Sequence, residues 1–81
     1  MEVRYSAHFA EALEEAPHII QKAFYKQVGF LMQNLRHPSL RAKKYNASTG
    51  LWQARVNDDW RFYFTIEDNT YHLQTIMRHP K

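Results

Sequence analysis

The sequence predicts a single α+β domain in which two N-terminal helices pack on one face of a small antiparallel sheet, a three-stranded meander. Three observations carry that prediction. The hydrophobic period is three to four residues in the first half of the chain and becomes two from Leu51 onward. The helical segments precede the extended ones and do not alternate with them, so both helices fall on the same side of the sheet. With 81 residues, two glycines, no repeat and no low-complexity tract, residues 1–81 read as one domain without a linker.

Taken in order, Val3 and Tyr5 have the alternation of a short edge strand that would lie beside the meander. Ser6 is a natural N-cap for a short helix carrying Phe9 and Leu13, which stops near Ala16-Pro17. A longer helix follows, with Pro17 in its first turn. Its apolar stripe is Ile20, Phe24, Val28, Leu31 and Leu35, with Ile19 and Ala23 alongside, while Lys22, Lys26 and Gln33 fall outside it. The stripe lasts too few heptads for a coiled coil, and His37-Pro38 ends the element. Three strands complete the chain. Trp52, Ala54 and Val56 form the apolar face of the first, Phe62, Phe64 and Ile66 that of the second, and Tyr71, Leu73 and Met77 that of the third.

Composition narrows the class of protein. Hydrophobic residues make up 44% of the chain and aromatics 15%, enough for a dense core and too much for a disordered segment. No apolar run approaches the roughly 18–20 residues of a membrane span, and the N-terminus lacks a basic region followed by an apolar one. With no cysteine, the chain fits a reducing compartment, and a cytoplasmic protein is expected. The net charge of +3 is unevenly spread: Arg36 to Arg61 holds six basic and two acidic residues, and the flanking stretches supply no further excess.

The strand registers turn this charge into a surface feature. A two-residue loop at Asp68-Asn69 pairs Ile66 with Tyr71 and Phe64 with Leu73, which matches the apolar faces. A two-residue loop at Asp58-Asp59 would put the apolar residues of the first two strands on opposite faces. A three-residue loop, Asn57-Asp58-Asp59, instead pairs Val56 with Trp60 and Ala54 with Phe62. Arg55 then lies across from Arg61 on the open face, with Arg78 placed diagonally beyond Arg61 on the third strand. Like charges opposed in this way cost up to about 1 kcal/mol, and no carboxylate occupies the same strand positions. An anionic ligand is the expected relief. Lys43, Lys44 and Arg41 lie close by in the preceding loop, and Tyr63, Tyr45 or Trp60 could stack on a base, a combination suited to a phosphate backbone.

The run Gly50-Leu51-Trp52-Gln53-Ala54-Arg55-Val56-Asn57-Asp58-Asp59-Trp60-Arg61, the approach Leu40-Arg41-Ala42-Lys43-Lys44-Tyr45, the aromatic strand, the Asp-Asn turn and the final Arg78-His79 together resemble the RelE/ParE superfamily of bacterial type II toxin–antitoxin toxins. The likeness spans nearly the whole chain and is nearest the RelE and YoeB branch, whose members cut mRNA in the ribosomal A site. The resemblance implies that Arg61 and Arg55 hold the scissile phosphate and stabilise its charge as the 2′-hydroxyl attacks. It also implies that Arg78 positions the backbone, that Lys43 and Lys44 occupy the place of basic catalytic residues, and that His79 serves as acid or base. Two departures stand out. The glutamate base of some relatives is missing, and Pro80-Lys81 follows the histidine where relatives commonly carry a tyrosine.

The partners so implied are mRNA on the ribosome and a cognate antitoxin covering the basic face, with no cofactor, metal or membrane. The superfamily leaves two alternatives, a ParE-like inhibitor of DNA gyrase and a catalytically inactive nucleic-acid or partner-binding module. Of the rest, His8, His18, His37, His72 and His79 lack the paired spacing of a metal site. Glu11, Glu14 and Glu15 form a solvated helix face, and Asp58 and Asp59 are accounted for by turn chemistry.

Overall fold

The computed structural model describes residues 1–80. Its elements are β1 (Glu2–Tyr5), α1 (Ala7–Glu15), α2 (His18–Gln33), a 3₁₀ turn (Pro38–Leu40), β2 (Lys43–Asn46), β3 (Leu51–Arg55), β4 (Trp60–Glu67) and β5 (Thr70–Arg78). The expected meander is β3–β4–β5, but the sheet is larger, with five strands in the order β1-β5-β4-β3-β2. β1 lies parallel to β5, so the sheet is mixed. β2, read above as a loop, pairs antiparallel with β3, Lys43 opposite Gln53 and Lys44 opposite Trp52. Among the described residues no helix is long and apolar enough to cross a membrane.

Both helices start as their sequence dictates. The Ser6 hydroxyl accepts from the Phe9 N–H at 2.9 Å, satisfying one of the orphan donors of the first turn, and donates to the Gln74 carbonyl at 3.2 Å. One side chain thus ties the start of α1 to β5. Pro17 is the N-cap of α2, just ahead of the first-turn position expected for it. α2 also ends sooner than its apolar stripe suggests. Asn34 leaves the helix in an extended conformation, and its side chain accepts from the Arg36 N–H, a local bond that competes with helix continuation.

The core lies between the helices and the sheet. Phe9, Leu13, Ile20, Phe24 and Leu31 face Ala54, Val56, Phe62, Phe64, Tyr71, Leu73 and Ile76, and Leu40 plugs one end from the 3₁₀ turn. Its centre is a chain of aromatic rings, Phe9–Phe24–Phe62–Phe64–Tyr71, with successive centroids 5.2–5.7 Å apart. Such tilted and edge-on contacts add to the burial of large apolar surfaces and hold the strands in one register.

Both hairpins have the derived registers. Arg55 opposes Arg61 and Ala54 opposes Phe62, and the Val56 N–H donates to the Trp60 carbonyl at 3.0 Å. Ile66 opposes Tyr71 and Phe64 opposes Leu73, around a turn whose Asp68 and Asn69 both have positive φ, as a two-residue hairpin of this hand requires.

Beyond Leu73 the expectation fails. The pairing shifts between Tyr63 and Phe64, leaving Gln74 as an extra residue on β5. From there every side chain of β5 takes the face opposite to the one its alternation implied. Ile76 enters the core in place of Met77, which is 45% exposed. Arg78 falls opposite Trp60, on the helix side.

Two stability predictions follow from this packing. Ser6→Ala removes the cap and its tie to β5 and is expected to cost about 1–2 kcal/mol in urea unfolding. Phe24→Ala, at the fully buried centre of the ring chain, is expected to cost about 3–5 kcal/mol.

Candidate functional site

The open face of the sheet carries a cleft of about 340 Å³ lined by Arg41, Lys43, Gln53, Arg55, Arg61 and His79. Five of the six are basic, and no carboxylate is among them.

The turn between β3 and β4 organises the two central arginines. It is closed by Asn57, whose side-chain carbonyl accepts from the backbone N–H groups of Asp59 and Trp60, each at 2.9 Å. The Arg61 guanidinium folds back onto the same turn and donates to the carbonyls of Asn57 at 2.7 Å, Trp60 at 3.0 Å and Asp58 at 3.3 Å. Carbonyl dipoles orient that cation without neutralising it. Arg55 is held differently, by an ion pair from its Nη2 to the Asp58 carboxylate. A carboxylate thus does meet one arginine, from the turn and not from a strand position, and Asp58 does more than build the turn.

The other basic residues arrive from three directions. Arg41 ends the 3₁₀ turn in the left-handed region at φ 45°, uncommon for a residue other than glycine, asparagine or aspartate. Lys43 stands on β2 opposite Gln53, whereas Lys44, opposite Trp52, has the parity of the helix side and does not line the cleft. His79 reaches the cleft because of the extra residue at Gln74. Unbroken alternation would have given it the core parity; the shift puts it on the face of Arg61. Its N–H donates to the Asp59 carbonyl at 2.6 Å, and its Nδ1 is buried with no hydrogen-bond partner among the described residues.

The same shift removes Arg78 from the cluster. It lines a hollow with Ala12, Glu15, Ala16, Trp60, Ile76 and Met77 on the helix side, so its expected place diagonal to Arg61 is corrected. Tyr63 is corrected as a stacking platform: it is buried, and its hydroxyl accepts from Gln53 Nε2 at 2.9 Å. Tyr45 is exposed and meets Tyr63 edge-on at 5.1 Å, which leaves it accessible beside the cleft. Trp60 lies on the helix side with Arg78.

Two glutamines were not anticipated. Gln53 is a buried amide in the wall of the cleft. Gln27 is a buried polar residue of α2 that bonds to the backbone of Arg55. The signal for Gln27 is present in the sequence, because it occupies the apolar stripe between Phe24 and Leu31. Two tyrosines outside the cleft have shifted titration: burial raises Tyr5, with Tyr25 adding to the rise, and burial raises Tyr71, so both phenols stay protonated at neutral pH.

No protein-family model and no curated protein matches the sequence. Solved structures do match the fold. The YoeB/ParE toxin from Agrobacterium tumefaciens superposes with a TM-score of 0.79 at 9% identity, covering 99% of this chain and 100% of that one. The archaeal RelE–RelB complex from Pyrococcus horikoshii OT3 gives 0.78 at 16% identity, covering 95% and 92%. The toxin–antitoxin complex RelBE2 from Mycobacterium tuberculosis gives 0.76 at 22% identity, covering 96% of each chain. At these identities the likeness is one of architecture, and over nearly its whole length the chain shares the fold of these solved structures.

Proposed function

We propose that this protein is the toxin of a type II toxin–antitoxin module and acts as an endoribonuclease on mRNA in the ribosome. The observation that carries the reading is the convergence of Arg41, Lys43, Arg55, Arg61 and His79 on one cleft without a carboxylate in its lining. The matched structures add weight, since they include a YoeB/ParE toxin and the toxin–antitoxin complex RelBE2.

The chemistry suited to such a cleft is attack by an RNA 2′-oxygen on its own 3′-phosphate. A 2′,3′-cyclic phosphate forms, the bond to the 5′-oxygen breaks, and the proton lost by the 2′-hydroxyl is balanced by one gained at the 5′-oxygen. Negative charge builds on the non-bridging phosphoryl oxygens as the fifth bond forms. Guanidiniums already oriented toward that position stabilise it at little reorganisation cost, typically the largest single contribution to such catalysis. Arg61, fixed by three carbonyls, is the residue placed to do this, and Arg55 assists once phosphate replaces its own carboxylate partner.

Proton transfer falls to His79 and Lys43. The imidazole of His79 can give or take a proton, and the Lys43 ammonium can give one to the leaving 5′-oxygen. Tyr45, exposed beside the cleft, is available to a neighbouring base. The antitoxin, in this reading, covers the cleft and satisfies its cations.

Expression of the wild-type chain is expected to arrest growth and to generate new mRNA ends within translated codons. Arg61→Ala should lower the cleavage rate on programmed ribosomes about 10²–10³-fold. His79→Ala should lower it about 10²–10⁴-fold. Growth arrest without new mRNA ends, together with loss of gyrase supercoiling activity, would replace this reading with that of a gyrase inhibitor.

A further inference from the structure

We infer that Gln27 is a positioning residue for the basic cleft, holding its two lips at a fixed separation from within the core. The inference rests on the endoribonuclease reading for its effect on rate, but its structural content stands on geometry alone.

α2 presents four buried side chains, Ile20, Phe24, Gln27 and Leu31, and the third is an amide where the spacing calls for an apolar residue. A buried amide without partners is destabilising, so an amide at this position needs a structural use. Both Nε2 protons are used. One goes to the Ser39 carbonyl at 3.0 Å and the other to the Arg55 carbonyl at 2.9 Å. Its Oε1 lies 3.3 Å from the Ser39 hydroxyl, which can donate to it and which also lies 2.9 Å from His37 Nδ1.

The location of these bonds explains the choice of residue. β2 pairs with β3 only as far as Lys43 opposite Gln53, so Arg55 lies past the end of its partner strand. Gln27 supplies a donor for its carbonyl there. The same amide grips Ser39, two residues before Arg41, whose left-handed backbone turns the chain into β2. One lip of the cleft carries Arg41 and Lys43, the other carries Arg55, and Gln27 is bonded to both. An aliphatic residue would fill the volume but leave two carbonyls unpaired and the 3₁₀ turn ahead of Arg41 untied from the end of β3.

Gln27→Met tests this, because methionine has nearly the same length and shape without the donors. The expected result is a folded protein whose cleavage rate constant on programmed ribosomes falls about ten- to a hundredfold. Its KM, set by docking to the ribosome, should stay unchanged, and its affinity for inorganic pyrophosphate should weaken several-fold. Ile20→Val, a core change about two turns away on the same helix, should lose stability without these effects. Wild-type kcat and pyrophosphate affinity in folded Gln27→Met would overturn the inference, as would an equal loss in Ile20→Val. Should Gln27→Met not fold, Ser39→Ala must show the same two effects at smaller size; wild-type values in both measurements would again overturn it. If the wild-type chain cleaves no mRNA, the functional reading alone falls, and the pyrophosphate titrations still decide the role of Gln27.

Discussion

The opposition of Arg55 and Arg61 across one antiparallel pair is the constraint on which the rest of the structure depends. Two cations at directly opposed positions repel, and the chain answers with the turn that joins their strands. Asn57 closes that turn with its own side chain, Asp58 pairs with Arg55, and the carbonyls of Asn57, Asp58 and Trp60 surround the Arg61 guanidinium. The Asp59 carbonyl then anchors the backbone of His79. Four consecutive residues therefore fix two of the basic side chains of the cleft and the backbone of a third basic residue. The register that creates the opposition is held from the other face by Ala54 and Phe62 packing under the helices, so core and site depend on the same pairing.

Much of this was legible in the sequence because side-chain alternation is an unambiguous signal while it lasts. Turn length and the matching of apolar faces sufficed to place Arg55 opposite Arg61. They failed after Leu73, because an extra residue in a strand leaves no periodic mark of its own. Gln74 is accommodated by contacts beyond its own neighbourhood, its carbonyl accepting from Ser6 and its amide donating to Thr65, with a local bond to the His72 carbonyl. The cost of missing it was an exchange of roles: Arg78 was placed in the cluster that His79 actually completes. β2 was illegible for another reason. Lys43, Lys44, Tyr45 and Asn46 are all exposed and show no alternation, so only the backbone donors and acceptors of β3 make them a strand.

The distribution of carboxylates decides what the cleft can hold. No Asp or Glu occurs between Glu15 and Asp58, so the 3₁₀ turn, β2 and β3 bring cations to the open face with nothing of opposite sign. A net charge of +3 understates the local field, because the compensating acids lie on α1, in the two hairpin turns and near the N-terminus. Gln53, the uncharged member of the lining, is bound to Tyr63 and keeps the wall rigid without reducing its charge.

Asp58 is the exception, and its position suggests how the site is kept ready. Its side chain is 90% exposed while that of Arg55 is 21% exposed, so the pair sits at the rim, where an ion pair contributes little to stability. An anion entering the cleft would take over the guanidinium from this carboxylate at small net cost, since one oxygen acceptor replaces another and the displaced carboxylate returns to water. Arg61 needs no such exchange, because its partners are neutral carbonyls on the side of the turn. The two arginines therefore differ in kind: Arg61 is held by neutral carbonyls that leave its charge uncompensated, and Arg55 is held by an exposed carboxylate at the rim.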